Sequence, residues 1–91
     1  MIVEAKFKRE LISTAHHLKP VVMLGQNGLT NNVLSEIDRA LNDHELIKVK
    51  VSGDRLEKNQ IAQDISMRLN AEFLRLIGNN LIFYRELSDD Q

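Results

Sequence analysis

Cysteine is absent from the sequence, and proline and glycine are scarce, at one and four residues. Without cysteine there can be no disulfide, thiolate zinc site or cysteine nucleophile, so packing alone must stabilise the fold. No apolar run approaches the ~20 residues that a membrane helix needs. Residues 1–10 mix charged and apolar side chains and lack the apolar core of a secretory signal, which predicts a cytoplasmic protein.

Neither sign of charge dominates the chain. Twelve lysines and arginines oppose thirteen aspartates and glutamates, for a net charge of -1. Residues 86–91 are expected to form an acidic, flexible tail, and without them the net charge is +2. Totals this small do not predict a nucleic-acid partner, because the distribution of charge matters more than its sum. The length of 91 residues and an apolar content of 43% predict one globular domain over residues 1–91.

The periodicity of apolar residues predicts three helices. The first covers residues 3–17, the second is capped by Thr30 or Asn31 and ends around residues 42–44, and the third covers residues 55–70. Runs rich in β-branched and aromatic residues predict four strands, over residues 21–24, 46–52, 72–77 and 81–85. The order is therefore α-β-α-β-α-β-β. Strand–helix–strand units favour parallel pairing, and the short glycine turn at residues 78–80 favours an antiparallel hairpin. The predicted class is α/β (α+β), a two-layer domain with a mixed four-stranded sheet packed by helices.

The first two strands differ in pattern. Residues 21–24 are uniformly apolar and are expected to be covered on both faces. In the second strand the valines and Ile47 alternate with Lys48 and Lys50, which predicts one buried face and one basic face. The two lysines would be about 7 Å apart along the strand. That basic face is equally consistent with an ordinary solvated sheet surface.

The segment Gly25-Gln26-Asn27-Gly28 joins the first strand to the second helix. Glycine permits a sharp turn and a close approach of phosphate, and a helix start offers unpaired amides and a positive dipole end. These features predict a phosphate site, with an ordinary strand-to-helix turn as the alternative. Gln26 and Asn27 are neutral, so nearby cations must add to the affinity. An aspartate at Gly28 would repel phosphate and preserve the fold only if φ at Gly28 is negative.

Basic residues outside this segment are the other candidate ligands of phosphate. Lys19 precedes the first strand and is expected at the opposite edge of the sheet. Arg55 and Lys58 open the third helix, where positive charge opposes the helix dipole. This conflict hints at an anionic ligand, although Asp54 could cap the helix and pair with them instead.

Other kinds of site have little support. His16, His17 and His44 lack the spacing of a metal site, the serines lack a nucleophile elbow, and residues 25–28 lack the ending of a Walker loop. No metal, cofactor or small-molecule substrate is therefore expected. Phe73 and Phe83 are assigned to the core. Tyr84 must face away from Phe83, which makes it a candidate to stack on a base.

The central block of the chain closely resembles the bacterial YhbY-type CRM-domain proteins, which belong to the chloroplast RNA splicing and ribosome maturation domain family. The matching stretches are Ala15-His16-His17-Leu18-Lys19-Pro20-Val21-Val22, Leu24-Gly25-Gln26-Asn27-Gly28-Leu29-Thr30, Glu36-Ile37, Ala40-Leu41 and His44-Glu45-Leu46-Ile47-Lys48-Val49-Lys50. The resemblance implies a sheet like that of the C-terminal domain of translation initiation factor three. It also implies binding to RNA in precursors of the large ribosomal subunit, without catalysis.

The predicted protein is therefore a monomeric RNA-binding module. An alternative is a protein-interaction module of the ribosome on which the lysines are incidental. The residues expected to contact RNA are Lys19, Gly25, Gln26, Asn27, Gly28, Leu29, Thr30, Lys48, Lys50, Arg55 and Lys58.

Overall fold

The computed structural model describes residues 4–25 and 27–87, so Gln26 and residues 88–91 of the predicted tail lie outside the described residues. The helices are α1 (Ala5–Ala15), α2 (Asn31–His44) and α3 (Arg55–Leu69). The strands are β1 (Val22–Met23), β2 (Leu46–Lys50), β3 (Glu72–Ile77) and β4 (Asn80–Tyr84). This is the predicted order of elements. Within the described ranges, no helix has the length and apolar character needed to cross a membrane.

The four strands form one mixed sheet in the order β1-β2-β4-β3. β1 pairs parallel with β2, and β4 pairs antiparallel with both β2 and β3. The predicted hairpin is thus confirmed as β3–β4, with Gly78 at φ +60° in its turn. β4 lies inside the sheet, whereas β1 and β3 form its edges.

Helices cover both faces of the sheet, which adds a third layer to the two that we predicted. α2 and α3 pack on the face that carries Leu81 and Phe83, and α1 packs on the face that carries Ile82 and Tyr84. All four of these β4 residues are buried. A strand that is apolar at successive positions needs cover on both sides, and α1 provides the second cover.

The prediction that β1 is covered on both faces is wrong. Val22 is buried, but the side chain of its neighbour Met23 is 67% exposed. β1 is an edge strand of two residues, and α1 packs across β2 and β3. The uniform apolarity of residues 21–24 therefore does not indicate cover on both faces, because Val22 is the one buried residue of β1.

The side chain of Arg85, which follows β4, contacts α2 and the end of α3. Its guanidinium donates to Asp38 Oδ1 at 2.9 Å and Asn42 Oδ1 at 2.9 Å on α2, and to the carbonyl oxygen of Leu69 at 2.7 Å. A cation is favourable at the last carbonyls of α3. Asp38 is thus a partner in this cluster. Beyond Arg85, the backbone N–H of Leu87 donates to Glu45 Oε2 at 2.9 Å.

Candidate nucleic-acid interface

One end of the sheet gathers the glycine loop and two helix starts. The parallel register pairs Met23 with Lys50, so the chain leaves β1 and β2 at the same end. The turn between β3 and β4 lies there too, because Asn79 accepts a hydrogen bond from the amide of Val51 at 2.8 Å. We call this end the loop edge. It comprises Gly25, residues 27–30, Lys50, residues 53–58 and residues 78–79.

The glycine loop is a closed turn. The amide of Gly28 donates to the carbonyl oxygen of Gly25 at 3.1 Å, and the amide of Thr30 donates to the carbonyl oxygen of Gly28 at 3.2 Å. Gly28 has φ +69°, so the condition under which an aspartate there would preserve the fold is not met. Gly25 does not have positive φ, and a Cβ built on it has no described atom within 4 Å. Gly25 is therefore the better position for a test by substitution.

The start of α2 leaves its first two amides without a helical partner. Thr30, one of the two residues predicted to cap this helix, is the N-cap, and its hydroxyl accepts from the amide of Val33 at 3.2 Å. The first helical hydrogen bond runs from Leu34 to Thr30 at 2.9 Å. The amides of Asn31 and Asn32 precede that bond, and both residues are exposed. With no acidic residue in the first turn, the positive end of the dipole can accept an anion.

The start of α3 is closed by carboxylates. Asp54 accepts from the amide of Glu57 at 2.8 Å, and Glu57 Oε1 accepts from the amide of Asp54 at 2.9 Å, which completes a capping box. The prediction that Asp54 caps this helix is confirmed, but within the described residues no salt bridge joins Asp54 to Arg55 or Lys58. From the sequence, Arg55 and Lys58 suggested an anionic ligand at this helix start. The carboxylates of Asp54 and Glu57 supply that negative charge instead. Lys58 Nζ binds the hairpin turn, at 2.6 Å from Asn79 Oδ1, and Arg55 is exposed.

The predicted lysines occupy different places. Lys50 is exposed and lies at the loop edge. Lys48 is half-buried, and its ammonium donates to the carbonyl oxygen of Leu18 at 2.9 Å. β2 therefore has no continuous solvated basic face, because the segment after α1 covers Lys48. Lys19 is exposed beside His44 and Leu46, at the opposite end of the sheet as expected.

Tyr84 is not available to stack on a base from the solvent. It is 8% exposed, and its ring meets that of Phe7 edge-on, with the centroids 5.5 Å apart. Burial raises the pKa of the Tyr84 phenol, and the negative charges of Glu45 and Glu86 raise it further. Phe83 and Phe73 pack together on the other face, with ring centroids 5.6 Å apart, so their assignment to the core is confirmed.

The roles of two sets of residues near the loop edge were not predicted from the sequence. Asn79 was treated only as a turn residue, yet its side chain holds Lys58 beside the start of α3. Asn31 and Asn32 carry the open amides of α2, and we had named only the residues before them. Thr30 as a candidate cap was enough to predict that the amides of Asn31 and Asn32 are unpaired, because the first helical residues directly follow the cap. No local signal could have found the contact between Asn79 and Lys58, since twenty-one residues separate them.

These features define a small mixed α/β domain in which a glycine turn leads into an open helix start. The CRS1 / YhbY (CRM) domain model matches residues 4–85. The chain belongs to this family, which confirms the resemblance found in its central block.

Similar proteins support the assignment over nearly the whole chain. An RNA-binding protein of Haemophilus influenzae is 52% identical over 84 residues, which cover 91% of this chain and 85% of that protein. YqeI of Bacillus subtilis, named as a probable RNA-binding protein, is 34% identical and covers 99% of this chain. The solution structure of SAV1595 from Staphylococcus aureus, described as a candidate RNA-binding protein, has a TM-score of 0.85 and 32% identity. It covers 99% of this chain, and the match spans 95% of SAV1595.

Proposed function

We propose that this protein binds RNA in the cytoplasm and that the loop edge contacts the RNA backbone. The observation that carries the proposal is the start of α2, where the amides of two exposed residues precede the first helical hydrogen bond and no carboxylate lies in the first turn. A helix start of this kind attracts the oxygens of a phosphate. The proteins similar to this chain are named for RNA binding, which favours a phosphate that belongs to a nucleotide chain.

Cations beside the loop favour a polymer over a single free anion. Lys50 and Arg55 are exposed at the same end of the sheet as Gly25. Several donors and cations at one end of the sheet suit contacts with successive phosphates, which fix the position of a protein on RNA without reading its sequence. Asn27 and Thr30 add hydrogen-bonding groups without charge. Recognition would thus depend on RNA shape, with modest sequence preference.

The specific RNA that we propose is ribosomal RNA in precursors of the large subunit, which the protein would help to assemble. This step extends the resemblance to YhbY-type proteins. The protein would act as a monomer through binding, without changing the RNA chemically. Its small net charge implies few phosphate contacts, so log affinity should fall with log salt at a shallow slope.

The test compares Gly25→Asp with Gly25→Asn, two side chains of nearly equal shape that differ in charge. A side chain at this position meets open space, so both variants should unfold at the temperature of the unsubstituted protein. Fluorescence titration with labelled fragments of large-subunit ribosomal RNA measures affinity. A carboxylate beside phosphate should weaken binding about tenfold, corresponding to ~1.4 kcal/mol, and the asparagine should have a much smaller effect. Equal affinity of the two variants would contradict phosphate binding at the loop.

A protein-interaction module is the second candidate, and the exposed side chains of Val21 and Met23 favour it. Val21 precedes the edge strand β1 and Met23 lies in it. An edge strand can pair with another chain. Ribonuclease treatment of ribosomal particles separates the two functions. Release of the protein upon digestion supports RNA binding, and retention on the isolated ribosomal proteins supports the alternative.

A further inference from the structure

A second group of cations lies away from the loop edge, in a groove between α1 and the edge strand β3. The groove has a volume of about 340 Å³ and is lined by Arg9, Ile12, Ser13, His16 and Arg75. Ile12 is buried, and the other four residues are exposed. No carboxylate belongs to this lining set, which contains two guanidinium groups.

A β-bulge directs Arg75 into this groove. Phe73 pairs with Phe83 and Arg75 pairs with Ile82, so Leu74 and Arg75 together oppose a single residue of β4. In a regular strand, successive side chains point to opposite faces. The extra residue brings Arg75 to the face of Ile82, against which α1 packs. Bulges commonly redirect a side chain in this way.

The two arginines have no ionic partner within the part of the chain that the structure describes, where the salt bridges are those of Arg68 with Asp64 and Arg85 with Asp38. Arg9 lies on α1 with Lys6 and Lys8, and Glu10 is the one acidic residue of that helix. The groove therefore lies on a locally basic surface of a chain whose net charge is -1. A guanidinium group binds phosphate in a bidentate manner, and Ser13 and His16 add hydrogen-bond donors.

We infer that this groove is a second phosphate-binding site, which contacts an RNA segment other than the one at the loop edge. The inference rests on the proposed function and adds to it a second contact surface. β1 and β3 are opposite edges of the sheet, so three strand spacings, about 14 Å, separate them. The RNA would thus be held at two backbone positions, one reached from the end of β1 and one between α1 and β3.

The experiment compares two pairs of substitutions in the full chain. The test pair is Arg9→Gln with Arg75→Gln, and the control pair is Arg39→Gln with Arg68→Gln. The control removes the same charge from exposed arginines of α2 and α3, on the other side of the sheet. Circular dichroism during heating verifies that both variants fold. Labelled fragments of large-subunit ribosomal RNA are then titrated at several salt concentrations.

The test pair should weaken RNA binding about tenfold and lower the slope of log affinity against log salt by about 1 to 2, since each lost phosphate contact contributes nearly one unit. The control pair should change the slope by much less. Equal effects of the two pairs, or no effect of the test pair, would overturn the second site. If Gly25→Asp still weakens binding in that case, the proposed function stands. Absence of binding by the unsubstituted protein would overturn both.

Discussion

The helices α2 and α3 begin in similar surroundings and differ in what faces their first amides. Each follows a strand of the parallel pair β1–β2, and each is capped by an oxygen of the preceding residue, Thr30 or Asp54. At α3 the capping box places two carboxylates on the helix start. At α2 the cap is a neutral hydroxyl, and the first turn contains no acidic residue.

The glycines before the two caps show the same difference. Gly53 has φ +112°, and a Cβ built there would lie 2.9 Å from Glu57 Oε1. The missing side chain of Gly53 thus makes room for the protein's own carboxylate. Gly28 has φ +69°, and a Cβ built there would have no described atom within 4 Å. A helix start is therefore available to an external anion only where the protein does not supply one, and by this criterion α2 is open and α3 is closed.

The largest expected effect comes from giving α2 the acidic cap of α3. Thr30→Asp should preserve the helix, because aspartate is a strong N-cap and its charge favours the dipole. The same charge should repel phosphate and weaken RNA binding about tenfold, or ~1.4 kcal/mol. Thr30→Asn is the matched control, since asparagine caps equally well without charge. Fluorescence titration measures affinity, and thermal unfolding measures stability.

A loss of stability in Thr30→Asp would mean that the weaker binding reflects damage to the fold. Equal affinities of the aspartate and asparagine variants, with both folded, would mean that α2 is no more open to anions than α3. The second result would remove the electrostatic distinction between the two helix starts.

Local features of the fold and site could be predicted because they depend on neighbours in the chain. Apolar spacing located all seven elements, and the predicted ends differ from the observed ones by at most two residues. The hydroxyl of Thr30 and the glycines around residue 27 indicated the turn and cap of α2. Asp54 and Glu57 have the spacing of a capping box, so the closed start of α3 was also readable from the sequence, and the emphasis on Arg55 and Lys58 as a sign of a ligand was misplaced.

Non-local pairing accounts for the predictions that were wrong. The strand order puts β1 at an edge, and no pattern within residues 21–24 encodes that position. Lys48 and Lys50 look equivalent in the sequence, but the backbone after α1 accepts a hydrogen bond from Lys48 only. Tyr84 is covered by Phe7, seventy-seven residues earlier in the chain. Each outcome depends on which distant segment covers a surface.

An intermediate effect is expected when the two caps are removed in turn. Asp54→Ala removes the carboxylate that accepts from the amide of Glu57, together with its charge, and leaves the backbone N–H of residue 54 to donate to Glu57. It should cost about 1 kcal/mol of folding free energy, which lowers the melting temperature by about 4–8 °C in a domain of this size. Thr30→Ala loses the single bond to Val33 and should cost less, about 0.5 kcal/mol. Calorimetry or circular dichroism measures both. A larger loss for Thr30→Ala would contradict the view that α3 has the more completely satisfied start.

The smallest expected effect comes from removing the negative charges at the start of α3. This change makes the start of α3 resemble that of α2. Replacing Asp54 with Asn and Glu57 with Gln keeps the cap and the box geometry and removes both charges that face the amides of α3. Lys50, Arg55 and Lys58 would then attract phosphate without competition, and RNA affinity should rise about threefold, or ~0.6 kcal/mol. The matched control replaces Glu36 with Gln and Asp43 with Asn, exposed carboxylates farther along α2. An equal rise in both variants would assign the effect to net charge, whereas a rise confined to the α3 variant would mean that the box carboxylates are what exclude RNA from that helix start.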